Sequence, residues 1–228
     1  MEDQPQDRPW NEAEWHAFLD RGDFFSARYQ ELFETLADDP QRDQLISREM
    51  GWEEPAAQSD LAWLPDLERP AGSDGQDETA GAGGDVEDRS AAIDAQLDAQ
   101  DEALNSIPAY RVGQAFGDVV RLAIMAMPQD GDTECDDDLI QTLTQALAIA
   151  TKVAAGHAIG YHDQVLGGNI AQCRRAMESA DACAVSLQCV AEKNLMEMAT
   201  VTRLQQQLTG VRETLNLRLK ELRSRVWW

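Results

Sequence analysis

The chain has 228 residues, of which 43% are hydrophobic, and a formal net charge of −23 at pH 7. This length accommodates one domain or two, and this hydrophobic fraction is sufficient for a folded core. No run of residues reaches the ~20 consecutive apolar positions that a membrane-spanning helix requires. Residues 1–9 are acidic and polar, unlike a signal peptide, so the sequence predicts a cytoplasmic protein that is not embedded in a membrane.

The negative charge is concentrated in the first half of the chain. Residues 1–107 carry 28 Asp and Glu against 7 Arg, whereas residues 108–228 carry 14 Asp and Glu against 12 Lys and Arg. The acidic half is expected to repel nucleic acids and anionic membranes. This asymmetry indicates two parts of the chain under different constraints.

The first predicted helix begins at Asn11, which Glu14 follows at the spacing of a capping box. Asp38-Asp39-Pro40 ends this helix, because proline cannot continue its hydrogen-bond ladder. An apolar stripe at helical spacing is expected to face inward. Its residues are Trp15, Phe18, Phe25, Tyr29, Leu32 and Leu36.

A short second helix is predicted over 41–50, with Leu45, Ile46 and Met50 inward. A Pro-punctuated segment containing Trp52, Leu61, Trp63, Leu64 and Leu67 is then expected to fold back over both helices. Residues 9–69 hold four of the six tryptophans, an aromatic content that we expect to be buried. We therefore place an aromatic-rich helical module at 1–69.

Residues 70–89 are mostly Gly, Ala, Ser, Asp and Glu. Such a segment buries too little apolar surface to offset the entropy lost on ordering. We predict a disordered acidic linker here.

Residues 90–228 are predicted to form a four-helix bundle with one preceding helix that begins at Ser90. The third bundle helix is expected to be central, because mostly small apolar residues recur along it at alternating spacings of four and three, from Leu166 to Ala191. Gly167-Gly168 indicates a close approach of another helix. The four helices are expected over 109–127, 137–159, 163–193 and 196–224. Their inward faces are expected to include Val112 in the first, Leu147 in the second and the stripe from Val201 to Leu222 in the fourth.

Short connections between long amphipathic helices favour an antiparallel up-and-down arrangement. Strand-like alternation with turn signals is absent from the sequence. The predicted fold class is all-α, with an N-terminal helical module, a disordered acidic linker and a C-terminal antiparallel four-helix bundle.

The last four predicted helices share several points with one bacterial family. The matching residues are Pro128 at the end of the first helix, Leu143-x-Gln145 early in the second, Ala155-Gly156 near its end, and Arg175-Ala176 with Ser179-Ala180 in the third. In these residues the segment 109–224 resembles the bacterial four-helix-bundle family. That family includes proteins encoded by 23S rRNA intervening sequences and the accessory protein of diversity-generating retroelements.

The resemblance implies ring-like homo-pentamers linked with nucleic-acid binding. The chain departs from the family pattern at the end of the second helix, where Asn-Ile-Ala-Glu-Gly is replaced by Ala154-Ala155-Gly156-His157 and the glutamate is missing. Family members are basic, whereas this chain is acidic overall. Residues 1–107 have no counterpart in the family.

Basic side chains are concentrated in the last predicted helix. A surface of this kind binds phosphates, but it is also typical of an ordinary charged face, or of a face against which the acidic first half of the chain lies. The candidate nucleic-acid-binding residues are Arg174, Arg175, Arg203, Arg212, Arg218, Lys220, Arg223 and Arg225.

No metal or other cofactor is expected. Di-iron bundles need a Glu three residues before each ligating His, and neither His157 nor His162 has one. Residues 130–141 begin like a calcium loop, but Cys135 stands where that loop has Gly and Gln141 where it has Glu.

No catalytic residues are predicted, and we do not expect an enzyme. A phosphate loop, a dinucleotide fingerprint and a Gly-x-Ser-x-Gly elbow are all absent from the sequence. The cysteines are expected to be reduced thiols. They are Cys135, Cys173, Cys183 and Cys189.

The sequence thus predicts a non-enzymatic interaction or scaffold protein. We expect its bundle to form homo-oligomers, residues 9–69 to bind an unidentified protein partner, and Trp227-Trp228 to dock onto a neighbouring helix or subunit. The alternative is a nucleic-acid-associated accessory protein of the retroelement type that uses the basic last helix. A third alternative is a carrier of a small molecule or metal in the bundle core.

Overall fold

The computed structural model describes residues 8–52, 95–96, 98–127 and 136–228. All regular secondary structure in these residues is helical, which confirms the all-α prediction. None of the described helices is both long and apolar enough to cross a membrane. The chain divides into two compact units, one formed by Met1–Ala17 with Asp94–Trp228 and the other by Phe18–Ile93.

Helix α1 (Glu12–Thr35) begins at the predicted capping box. The Asn11 side-chain oxygen accepts hydrogen bonds from the backbone N–H groups of Ala13 and Glu14, at 2.9 and 3.0 Å. The Glu14 carboxylate accepts a 2.9 Å bond from the Asn11 N–H in return. This reciprocal pattern satisfies backbone donors that have no partner within the helix.

Helix α2 (Arg42–Glu49) buries Ile46, as predicted, and Leu32 of α1 is buried as well. The prediction of an inward aromatic stripe is wrong for Phe18, Phe25 and Tyr29, which are exposed. The eight residues of α2 span only ~12 Å, too little to cover a 24-residue helix.

Three predicted features lie outside the described residues. They are the rest of the aromatic segment (Leu61, Trp63, Leu64 and Leu67), the acidic linker 70–89, and the helix start at Ser90. Residues 98–105 are helical.

The bundle helices begin and end within three residues of the predicted bounds. Each packs against the next in the chain, and the first packs against the last. The second and third run antiparallel: Lys193 at the end of the third pairs with Asp136 at the start of the second, and Asn169 near the start of the third donates to the Gly160 carbonyl at the end of the second. The helices are α3 (Pro108–Met125), α4 (Asp137–Ile159), α5 (Leu166–Glu192) and α6 (Met198–Arg223).

The ends of α4 follow from local chemistry. The Asp136 side chain caps its start by accepting a 2.8 Å bond from the Asp138 N–H. Gly160 ends it with a φ of +110°, a backbone conformation that favours glycine.

Helix α6 buries every residue of its predicted stripe, from Val201 to Leu222. Helix α5 buries two adjacent faces because both α4 and α6 pack against it. Of its predicted stripe, Met177, Ala184 and Ala191 are half-buried and the other residues are buried, and beside the stripe it also buries Ala176, Ser179, Cys183 and Val190. Since every helix of the bundle packs against two others, the central position of this helix stays a prediction.

The predicted inward faces of α3 and α4 are partly wrong. Leu147 is exposed, and Ile149 and Val153 occupy the core in its place. In α3, Val112 is exposed and Gly113 faces the core. Both helices are apolar around much of their circumference, so periodicity alone does not select the buried face.

Candidate interaction surfaces

The exposed apolar side chains of α3 form the first candidate surface. The core face of α3 includes Gly113 and Gly117, which lie close to α4: a Cβ on Gly113 would meet Ile149 Cγ2 at 3.0 Å. The opposite side of α3 exposes Leu122 by 57% and Met125 by 63%. Apolar side chains gain roughly 25 cal/mol for each Å² removed from water. A row of them on the surface is typical of a binding face.

An open groove runs beside this row, along the seam between α3 and α6. This seam is the loosest of the four in the bundle. A wider part of about 630 Å³ and a narrower part of about 370 Å³ share Val119 and Gln207 in their walls, so the two parts are continuous. We call this feature the α3–α6 groove.

Charged side chains mark the two ends of the α3–α6 groove. Arg111 lines one end and Glu197 lines the other, while Arg203 lies between Glu197 and Gln207 along the wall of the wider part. Arg203 makes no ion pair with another described residue. The groove therefore combines an apolar floor with opposite charges at its ends.

The start of α1 packs against the bundle and forms the second candidate surface. The Trp10 and Trp15 rings lie edge to face, with centroids 5.4 Å apart. The Trp15 ring covers Gly167 and Gly168 in the first turn of α5, and the Trp10 backbone carbonyl oxygen lies against Gly167. A Cβ would lie 2.8 Å from Trp15 Cδ1 if added to Gly167, and 2.9 Å from Trp15 Cδ2 if added to Gly168. Only glycine lets an indole approach this closely. We call residues 10–16 the N-terminal segment.

Glu12 connects the N-terminal segment to two arginines of the bundle. Its carboxylate accepts bonds from Arg223 Nη2 at 2.7 Å and Nε at 3.1 Å, and it lies 3.5 Å from Arg174 Nη1. The Glu12 hydrogen bond raises the pKa of Arg223. His16 Nε2 lies 3.4 Å from Glu178. We call the receiving surface, formed by Gly167, Gly168, Arg174 and Arg223, the indole slot.

Of the possibilities open for the basic residues, one was that the acidic first half of the chain lies against them, and a single residue of that half, Glu12, lies against two of them. Arg174 and Arg223 come together around Glu12. Arg212 pairs with Asp181 at 2.5 Å, and Arg175 is buried.

The other basic candidates divide between a cluster and the open surface. Arg218 Nη2 donates to the Tyr161 hydroxyl at 2.9 Å and pairs with Glu221, while Arg225 donates to the Tyr161 carbonyl at 3.0 Å. The Tyr161 hydroxyl also lies 2.7 Å from His157 Nδ1. Lys220 is exposed, and no acidic partner for it lies in the part of the chain that the structure describes. The Tyr161 contacts hold the α4–α5 turn against α6.

The nucleophilic side chains of the core are protonated or inaccessible. Burial raises the pKa of the Cys173 thiol to about 11 and that of Cys183 to about 12. Thiols with such pKa values are poor nucleophiles at neutral pH. Ser179 accepts a hydrogen bond from Lys152, which resembles a Ser–Lys dyad. Ser179 is only 2% exposed, so this bond joins α4 to α5 and no substrate reaches it.

Within residues 8–52, 95–96, 98–127 and 136–228, no three His, Cys, Asp or Glu side chains are close enough to hold a metal ion. Cys173, Cys183 and Cys189 are free thiols. The calcium-like residues Asp130, Asp132 and Glu134, with Cys135, lie outside the described residues.

Comparison with known proteins identifies no relative of this chain. No protein-family model matches it, and no significant match to a curated protein or to a solved structure is found. The resemblance to the bacterial four-helix-bundle family stays a prediction.

The α3–α6 groove was not predicted from the sequence. The docking of Trp10, Glu12 and Trp15 against the bundle was not predicted either. The glycine pair of α5 was the one signal for the second surface. It indicated a close approach without identifying the partner.

Proposed function

We propose that this chain is a non-enzymatic interaction protein whose bundle forms homo-oligomers through the α3–α6 groove. The observation that carries the proposal is the exposed apolar row of α3, with Leu122 and Met125, beside an open seam of the bundle. Covering this row with protein removes apolar area from water, which is the main driving force of association.

The charges at the ends of the α3–α6 groove favour a second copy of this chain as the occupant. Arg111 lies eight residues from Val119, or ~12 Å along α3, and Glu197 lies ten residues from Gln207, or ~15 Å along α6. A two-fold axis through the middle of the groove would therefore place Arg111 of each copy opposite Glu197 of the other. An isologous dimer of this kind is self-complementary in charge.

The state of the core side chains supports the non-enzymatic part of the proposal. The Cys173 and Cys183 thiols hold their protons at neutral pH, and Ser179 is buried. These two thiols and this hydroxyl are thus unsuited to act as nucleophiles.

The second unit supplies a surface for a different protein partner. Its described residues expose several aromatic rings, of which Tyr29 lies against Phe33 and Trp52 with centroids 6.0 and 5.8 Å apart. Aromatic side chains dominate the energetics of protein interfaces. We assign partner binding within residues 9–69 to this aromatic face.

Sedimentation velocity on the full-length protein tests the self-association. Leu122→Glu places a charge on the floor of the contact, so we expect it to shift the protein to monomer at concentrations where the wild type associates. Val185→Glu is the matched control, because Val185 is 67% exposed on α5, away from the groove. A wild type that is strictly monomeric at micromolar concentration overturns the proposal.

A second candidate function is nucleic-acid binding by α6, which the family resemblance also implies. It is supported by the grouping of Arg218, Lys220, Arg223 and Arg225 near the end of α6. Such binding weakens steeply with salt. We expect Lys220→Glu with Arg203→Glu to lower affinity for labelled RNA or DNA in an anisotropy titration, since neither side chain has an acidic partner among the described residues. No salt-sensitive binding by the wild type would exclude this candidate.

A further inference from the structure

The indole slot matches the N-terminal segment in both shape and charge. Gly167 and Gly168 leave room for the Trp15 ring, and any Cβ at these positions would overlap with it. The guanidinium of Arg223 meets the Glu12 carboxylate through two parallel hydrogen bonds, the geometry that makes arginine–carboxylate pairs specific. The slot is thus a built binding site for a segment with the pattern Trp-x-Glu-x-x-Trp.

The N-terminal segment and its slot are neighbours in space but distant in the chain. The unit that contains both is interrupted between Ala17 and Asp94, so the segment is tethered to its slot through all the residues of the other unit. The advantage of an intramolecular partner falls as its tether lengthens. The slot itself does not distinguish its own segment from the identical segment of another molecule.

We propose that the indole slot also binds the N-terminal segment of a second copy of this chain, so that two molecules exchange their segments reciprocally. Each copy then contributes Trp10, Glu12 and Trp15 to the slot of its partner. This exchange needs no new contact, because every bond broken in the closed monomer forms again between the copies. It uses a different surface from the α3–α6 groove and does not depend on it.

The exchange is tested with two complementary variants of the full-length chain. The segment variant, Glu12→Arg, keeps an intact slot, but Arg174 and Arg223 of that slot repel the introduced arginine. The slot variant, Arg174→Glu with Arg223→Glu, keeps an intact segment, but its two introduced glutamates repel Glu12 of that segment. Both carry Leu122→Glu, so that association through the groove does not contribute.

We expect each variant alone to be monomeric and the equimolar mixture to form a complex of one chain of each kind, measured by sedimentation velocity. Absence of a mixed complex, from variants whose helical circular dichroism equals that of the wild type, overturns the proposal. A chain with all three charge reversals restores opposite charges within one molecule and serves as the folding control.

A second measurement uses the wild-type protein, in which the slot is unaltered. A fluorescent peptide of residues 8–17 is titrated with wild-type protein, and we expect it to bind by displacing the resident segment. The same peptide with Glu12→Arg should bind at least tenfold more weakly. Equal binding of the two peptides, or binding of neither, contradicts an exchangeable segment.

Discussion

Glu12 and Arg223 are 211 positions apart in the chain and form a two-bond ion pair, with oxygen–nitrogen distances of 2.7 and 3.1 Å. The pair joins the first turn of α1 to the last turn of α6. Arg174 lies on the other side of the same carboxylate. One glutamate of the acidic half of the chain thereby connects the N-terminal segment to two helices of the bundle.

Replacing this glutamate is expected to have a small, salt-dependent effect on stability. Glu12→Gln should lower the free energy of unfolding by roughly 0.5–1 kcal/mol, because the Arg223 side chain is about half exposed and water screens the pair. Urea unfolding at low and high salt measures the effect, which should shrink as salt rises. Glu213→Gln, at an exposed site of α6, is the control and should be neutral. A loss from Glu12→Gln that salt leaves unchanged would contradict an ion-pair origin.

A methyl group in the indole slot should displace Trp15. Gly167→Ala is expected to cost ~1–3 kcal/mol in the free energy of unfolding, since the added Cβ would overlap with the backbone carbonyl oxygen of Trp10 and with Trp15 Cδ1, so both the segment backbone and the ring must move. Gly210→Ala is the matched control: apart from the local backbone of its own helix, no atom lies within 4 Å of its added Cβ, and alanine favours a helix interior by ~0.5–1 kcal/mol. Equal effects of the two substitutions in urea unfolding would show that the slot is not tightly filled.

The start of α4 predicts a defined pH dependence. The Asp138 N–H hydrogen bond, and then Lys193, hold the pKa of Asp136 below its ordinary value of 3.8. A carboxyl group whose pKa is lowered by folding stabilises the folded state at pH values above its pKa in the unfolded chain. This contribution is lost as the pH falls through its pKa in the folded state. Asp136→Asn keeps a capping side chain but removes the charge. We expect it to reduce stability at neutral pH and to equal the wild type in strong acid. A difference that persists in strong acid would contradict this assignment.

Thiol reactivity provides a test of the core. A pKa of about 11 for Cys173 lies two units above its ordinary value of 9.0, so its thiolate fraction at neutral pH is lowered ~100-fold. We expect Cys173 and Cys183 to react with iodoacetamide far more slowly than the half-buried Cys189, as followed by peptide mass mapping. Unfolding in urea should remove the difference. Rapid labelling of Cys183 in the native protein would indicate an accessible core.

The chemistry of single residues made much of the fold predictable from the sequence. Asn11 with Glu14 marked a helix start because capping is local. The stripe of α6 predicted its buried face because the other faces of that helix are polar. In α4, where Leu147 and Ile149 are equally apolar, the buried face depends on which helices are neighbours.

The candidate surfaces were less predictable because each joins distant parts of the chain. The α3–α6 groove exists because α3 lies close to α4 at Gly113 and Gly117 and leaves its seam with α6 open. The presence of Gly113 and Gly117 in the sequence does not by itself indicate an open seam. Trp227-Trp228 was predicted to dock onto a neighbouring helix or subunit. Trp227 is 84% exposed, so it does not dock onto a helix of its own chain among the described residues. Docking onto another subunit stays a prediction.

The most direct test of self-association through the α3–α6 groove reverses one charge in each of two variants. In a two-fold dimer, Arg111→Glu alone places glutamates opposite each other, and Glu197→Arg alone places arginines opposite each other. Mixing the two variants restores opposite charges at both contacts. Sedimentation velocity at micromolar concentration and low salt should show weakened association for each variant and recovery in the mixture. Association that is equal in the wild type, both variants and their mixture would contradict the proposed interface.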